Sequence, residues 1–255
     1  MPYAVEVECG VRPEYEALAH DFRALAEPFD LTVDESLERD LVLVAASFEA
    51  IDRYVDATPD ALERARLCEA ILSALRDATS GDLPRGDLVA TLAAIRARLV
   101  TIEALDAFVT HLARFFVRSE ALRCTVSAGE FVRCVLDEAR CAAEMTLLVV
   151  SARRTVGTTR FFRFFRVLSE IANLVDKVHD VRGDWERGEM AVRPGAGLRV
   201  RLLAAFAIRL PWLLFLARRP WRLIAWGARH VLPASTNREL QAARLQVTSA
   251  PMTRR

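Results

Sequence analysis

A chain of 255 residues is long enough to bury one large core and short enough to form a single domain. Ten glycines and ten prolines are few for that length, and Ala, Leu, Arg, Glu and Asp dominate, so the composition argues against a strand-rich fold and predicts an all-α one. A formal net charge of +1 sets aside nucleic acid as a principal partner, and five cysteines with no C-x-x-C pair set aside a zinc site or a disulfide framework.

The first predicted helix covers 12–26 and ends before Pro28. A second begins around Asp34 or Ser36, where the side chains can cap, and runs to Asp56 with Leu37, Leu41, Val44, Ala45, Phe48, Ile51 and Val55 on its apolar side. Thr58-Pro59 stops it and opens a helix over 59–77 with proline in its first turn. The stretch 79–86 reads as a loop, and helices over 87–99, 101–118, 127–151 and 158–186 follow. The cysteines, Cys9, Cys68, Cys124, Cys134 and Cys141, fit buried free thiols in a reducing compartment. The amino-terminal Met-Pro-Tyr-Ala-Val-Glu lacks the pattern of a signal peptide, so a cytoplasmic body is expected.

Charge divides the chain into a core, 1–192, and a basic apolar part, 193–255. From Met190 to Arg238 there is no Asp, Glu or Lys, while nine arginines fall there. Within 198–232 the runs Leu202–Ile208 and Leu210–Ala217 alternate with arginines, and Pro211 and Pro220 interrupt them. Neither run reaches the roughly 20 apolar residues of a spanning helix. With Trp212, Trp221 and Trp226, the segment fits either a peripheral membrane contact or helices that complete the core.

The most informative feature lies in 158–186. Asp176, Asp180 and Asp184 recur every four residues, and each step of four drifts only about 40° around a helix, so the three carboxylates form one ridge. Phe165, Leu168, Ala172 and Val175 lead into it. Asp52 and Asp56 likewise continue the apolar stripe of the second helix, one turn apart. Acidic groups on a core-facing stripe are costly unless paired or bound to metal. Two such helices facing one another suit Mg²⁺, or Mn²⁺, held against a diphosphate.

Asp52-Arg-Tyr-Val-Asp56 resembles the first aspartate-rich motif of class I isoprenoid synthases. Asp180-Val-Arg-Gly-Asp184-Trp-Glu-Arg-Gly resembles the second motif of the squalene and phytoene synthases, and the likeness covers roughly residues 30–190. The order and separation of the two motifs are also similar. Asp176, Asp180 and Asp184, followed by Arg187-Gly188-Glu189, are similar in spacing to the metal-binding triad of class I terpene cyclases. The resemblance implies a helical bundle of the isoprenoid synthase type with a central cavity, in which Mg²⁺ on Asp52, Asp56, Asp180 and Asp184 ionises a prenyl diphosphate. Asp176 would join them in the cyclase version. Lys177, Arg182 and Arg187 are then the expected diphosphate partners, with Arg153, Arg154 and Arg160 behind them. Phe48, Phe165 and Asn173 are expected at the cavity, with the other phenylalanines at 161, 162 and 164 in part lining it. His179 is read as a bystander. The sequence departs from the pattern at Glu49-Ala50-Ile51, at Arg53, and in the middle helix at Asp137-Glu138-Ala-Arg140, where that family carries tyrosine and glycine.

Overall fold

Local signals start and stop each helix. Asp34 accepts the backbone N–H of Leu37 at 2.8 Å, and Asp60 accepts those of Leu62 and Glu63, each at 2.9 Å, so both act as N-caps. The computed structural model describes residues 13–78, 83–84, 86–151, 158–221 and 223. Among these are eight α-helices and no strand: α1 (Pro13–Ala26), α2 (Glu35–Asp56), α3 (Ala61–Asp77), α4 (Asp87–Thr101), α5 (Leu105–Cys124), α6 (Ala128–Ser151), α7 (Thr158–Glu186) and α8 (Ala196–Leu216). The all-α expectation holds. A single 3-10 turn, Glu27–Phe29, follows α1 and closes on Asp30 in the left-handed region, with φ 61°. The chain divides after Leu216, so that α8 belongs with the helical body, whereas composition alone sets a boundary at 193. In the second unit the backbone N–H of Leu223 donates to the carbonyl of Arg219.

Three local readings change. Pro59 lies outside α3, because the Asp60 cap starts the helix at Ala61, two residues later than a first-turn proline would require. Helix α5 continues past Arg118 to Cys124, which leaves that thiol exposed at a helix end while Cys134 and Cys141 are buried. Pro211 does not break α8. Both Pro211 and Ala207, whose carbonyl loses its helical donor, are exposed, so water can serve that carbonyl. Cys9, Arg153, Arg154 and Trp226 lie outside the described residues.

Helix α6 is the hub, packing on α5, α7, α8 and α2. Its long apolar face buries Phe131, Val135, Met145 and Val149 completely. At one end Leu122 of α5, Leu174 and Val181 of α7, and Leu198, Leu202 and Ala205 of α8 close around Phe131 and Val135. At the other, the Phe161, Phe164 and Phe165 rings of α7 meet Phe22 and Phe29, with centroids 5.0–5.4 Å apart. Such edge and tilted contacts suit aromatic quadrupoles.

Buried charges are answered across helices. Asp40 of α2 accepts two 2.7 Å bonds from Arg98 of α4. Arg64 of α3 makes a two-point contact with Glu120 of α5 at 2.9 and 3.1 Å. Glu170 of α7, also buried, receives Arg140 of α6 and Arg209 of α8. These pairs register the helices, since removing one partner would strand a buried charge.

Candidate functional site: an acidic cavity between α2, α5, α6 and α7

The helical pairings fix how levels align along the bundle. Ser119 donates to Glu138, Asn173 donates to the Val135 carbonyl at 2.9 Å, and Arg123 donates to Asp56, while the Phe48 and Phe115 rings lie 6.1 Å apart. Hence α5 runs parallel to α2 and antiparallel to α6, and α6 runs antiparallel to α7. Between them lies a cavity of about 660 Å³. Phe115, Ala142 and Ser169 occupy one level. Asp52, Ser119, Glu138 and Asn173 form the next, and Asp56, Arg123, Asp176, Lys177 and Asp184 lie beyond them, with Arg187 and Glu189 at the lip. From Phe115 to Arg123 is eight residues of α5, about 12 Å of rise. The cavity therefore grades from small and aromatic side chains to charged ones.

The two acidic helices do converge on this space. Asp52 and Asp56 line it from α2, Asp176 and Asp184 from α7. Asp180 is half-buried and does not line the cavity, although its charge acts on Arg187. Of the predicted diphosphate partners, Lys177 and Arg187 face the cavity. Arg182 instead pairs with Glu186 on the exposed side of α7. Arg160 donates to the carbonyls of Phe215 and Leu216, away from the site. Asn173 lines the cavity. Phe48 stands behind Phe115, and Phe165 belongs to the cluster with Phe22 and Phe161. Arg53 turns out to α4, where it and the Tyr54 hydroxyl both bond Asp87.

Arg123 and Glu138 line the cavity as well, and neither is among the residues that motif spacing singles out. Glu138 interrupts the small-residue face made by Val135, Ala139 and Ala142, which is its one sequence signal. Arg123 lies beyond the expected end of its helix.

Asp184 is the most enclosed carboxylate, accepting Lys177 at 2.8 Å and Arg187 at 2.6 Å. Burial works against the Lys177 ammonium, but Asp184, with Glu138 and Asp176, holds its pKa above the ordinary value. Arg187 is positioned by the helix end. Gly188 adopts φ 75°, and the backbone N–H groups of Gly188 and Glu189 return to the carbonyls of Trp185 and Asp184 at 3.1 and 2.8 Å. Only a residue at ease in the left-handed region makes this turn cheaply. The turn brings Glu189 back to Arg187 at 2.7 and 2.9 Å, and that bond holds the Glu189 carboxyl below its usual range.

Asp52 is different. Its side chain is exposed to the open cavity, and among the described residues no short ion pair answers it. Burial, then the charges of Asp56 and Glu138, push its pKa to about 7, against the weaker pull of Arg123 and Lys177. Six carboxylates line the cavity against three cationic side chains. Such a surplus fits a cation, and oxygen donors of this kind suit Mg²⁺ or Mn²⁺. Among the described residues, no three His, Cys, Asp or Glu side chains already stand close enough to enclose a metal. Ligands would have to draw in around the ion. No protein-family model, curated protein or solved structure matches the chain.

Proposed function

We propose that the cavity binds the diphosphate of a prenyl diphosphate and ionises it, as a class I isoprenoid synthase of squalene and phytoene synthase type does. The observation that carries this reading is the convergence of Asp52 and Asp56 with Asp176 and Asp184 on one cavity whose far end is Phe115, Ala142 and Ser169. An amphiphile with an anionic head and an apolar tail matches that gradient. Asp52 and Asp56, with Glu138 nearby, and Asp176 on the opposite wall would hold Mg²⁺, with Asp180 and Asp184 drawn in as the ligands close. The bound ion would withdraw charge from the diphosphate and orient it.

The chain's own side chains supply the rest. Lys177, Arg187 and Arg123 line the same cavity and would donate to the diphosphate oxygens as negative charge builds. The allylic C–O bond breaks with its electron pair remaining on the diphosphate oxygen. The cationic hydrocarbon is left toward Phe115, whose π face can stabilise it, and toward Ala139, Ala142 and Ala172, which give it room. Prenyl transfer then needs a second prenyl group in the same space. Cyclisation of a single substrate is the alternative, favoured by Asp176, which also lines the cavity.

Purified protein is incubated with Mg²⁺ and geranyl, farnesyl or geranylgeranyl diphosphate, and released diphosphate and hydrocarbon are measured. Asp52→Ala and Asp180→Ala are expected to abolish turnover with helicity intact. Full turnover in both variants would sink the assignment. No turnover with any substrate, together with no Mg²⁺-dependent binding of a thio-diphosphate analogue, would leave a helical scaffold.

A further inference from the structure

Helix α8 is apolar nearly all round, yet only one side of it is covered. Leu198, Leu202, Ala205 and Leu213 are buried against α6 and α7, and Arg209 on that side reaches Glu170. On the opposite side Val200 is 63% exposed, Leu203 53%, Ile208 67%, Trp212 61% and Phe215 70%. Ala204, Ala207 and Pro211 fill the gaps between them and are exposed too. These residues share one face, so the patch is continuous and on the order of 500 Å², as large as the largest patch on a typical monomer. A helix apolar on both sides is normally buried on both.

We infer that the outer face of α8 docks on an anionic lipid surface. Charge complementarity selects this occupant. By helical phase Arg199 falls about 100° to one side of Val200, bordering the apolar face where its guanidinium can reach up to headgroups, and Arg201 falls about 100° to the other, with its guanidinium beside Gly129 at the start of α6. Both are exposed. A hollow of about 600 Å³ at the start of the helix shares Val200 and Leu203 with this face and sets Arg193 and Arg199 beside Trp185. Past Leu216 the chain continues directly into Arg218 and Arg219, and no acidic residue occurs between Met190 and Arg238. A second copy is disfavoured by the same charges. Pairing two such faces, parallel or antiparallel, sets arginine against arginine with no carboxylate on the segment to answer it. A bilayer supplies the apolar depth for Trp212 and Phe215 and the negative charge for the arginines together. No helix among the described residues is long and apolar enough to cross a membrane, so the contact is one that lies on the surface. It does not depend on the chemistry assigned to the cavity.

Full-length protein is sedimented with vesicles of phosphatidylcholine alone and with vesicles in which about a third of the lipid is phosphatidylglycerol. The expected partition is about tenfold higher on the anionic vesicles and falls with added salt. The double variant Ile208→Glu with Trp212→Glu should lose about tenfold in binding while keeping the parent's melting temperature, since both side chains are exposed. Arg199→Gln with Arg201→Gln should remove most of the preference for anionic lipid and flatten the salt dependence. Equal partition on both vesicle types overturns the proposal. So does a dimer by light scattering that Ile208→Glu with Trp212→Glu dissolves, which would make this face a subunit interface. A monomer that binds neither vesicle overturns it as well.

Discussion

Replacing Asp52 by asparagine isolates the charge surplus of the cavity while keeping the side chain's shape. In the parent, burial and the neighbouring Asp56 and Glu138 raise this carboxyl from 3.8 to about 7. A carboxyl with a raised folded-state pKa keeps its proton where the unfolded chain has lost it. Stability therefore falls as pH rises from about 4 to about 7, and the penalty is complete above that window. About three pH units at 1.36 kcal/mol each set a ceiling of about 4 kcal/mol. Because the side chain opens on cavity water, screening brings the realised penalty nearer to about 1–2 kcal/mol. At about pH 8 the variant should melt about 2–6 °C above the parent, and near pH 4 the two should coincide. Scanning calorimetry across that range reads the difference directly. Added Mg²⁺ should narrow the gap at the higher pH by stabilising the parent alone. If parent and variant melt with the same pH dependence, the carboxylates are not crowded as the geometry indicates, and the argument for a cation at this wall fails with them.

Two further substitutions probe the opposite wall. Lys177→Met removes one of the two cations on buried Asp184 and should cost about 1.5–3 kcal/mol in urea unfolding, as well as weakening inorganic diphosphate binding in calorimetry; unchanged diphosphate affinity would remove Lys177 from the site. At Gly188 an added Cβ meets no atom within 4 Å, so Gly188→Ala should cost only the backbone strain of a positive φ, about 1 kcal/mol. Its larger effect should be on diphosphate affinity, because the turn holds Arg187 and Glu189 at the lip. A loss of stability with no loss of affinity would show that the turn serves the helix end alone.

The part of the site that could be read from the chain is the part that helical periodicity determines. Asp52 and Asp56 on α2, and Asp176 and Asp184 on α7, follow from four-residue spacing at the end of an apolar stripe, and both pairs do reach the cavity. Arg123 and Glu138 enter through tertiary register instead. Ser119 must lie opposite Glu138 before either faces the same space, and α5 must run five residues beyond Arg118 before Arg123 is helical at all. Local composition carries neither fact. The same limit applies to α8, whose inner and outer faces are equally apolar in sequence, so that only packing tells the covered side from the exposed one.

Helix α2 shows why an acid on an apolar stripe has no single meaning. Asp40 lies three turns before Asp52 on the same helix, on the buried side, and is more enclosed than Asp52. It is nevertheless satisfied, because Arg98, 58 residues away on α4, grips both of its oxygens. Asp52 meets two carboxylates at its own level and the next, and its charge is disfavoured instead of anchored. Either carboxylate is costly on an apolar helix face until a neighbouring helix answers it. What separates a structural carboxylate from a cation-seeking one is the sign of the charge delivered by a different helix, and that is decided by how α4, α5 and α6 pack around α2.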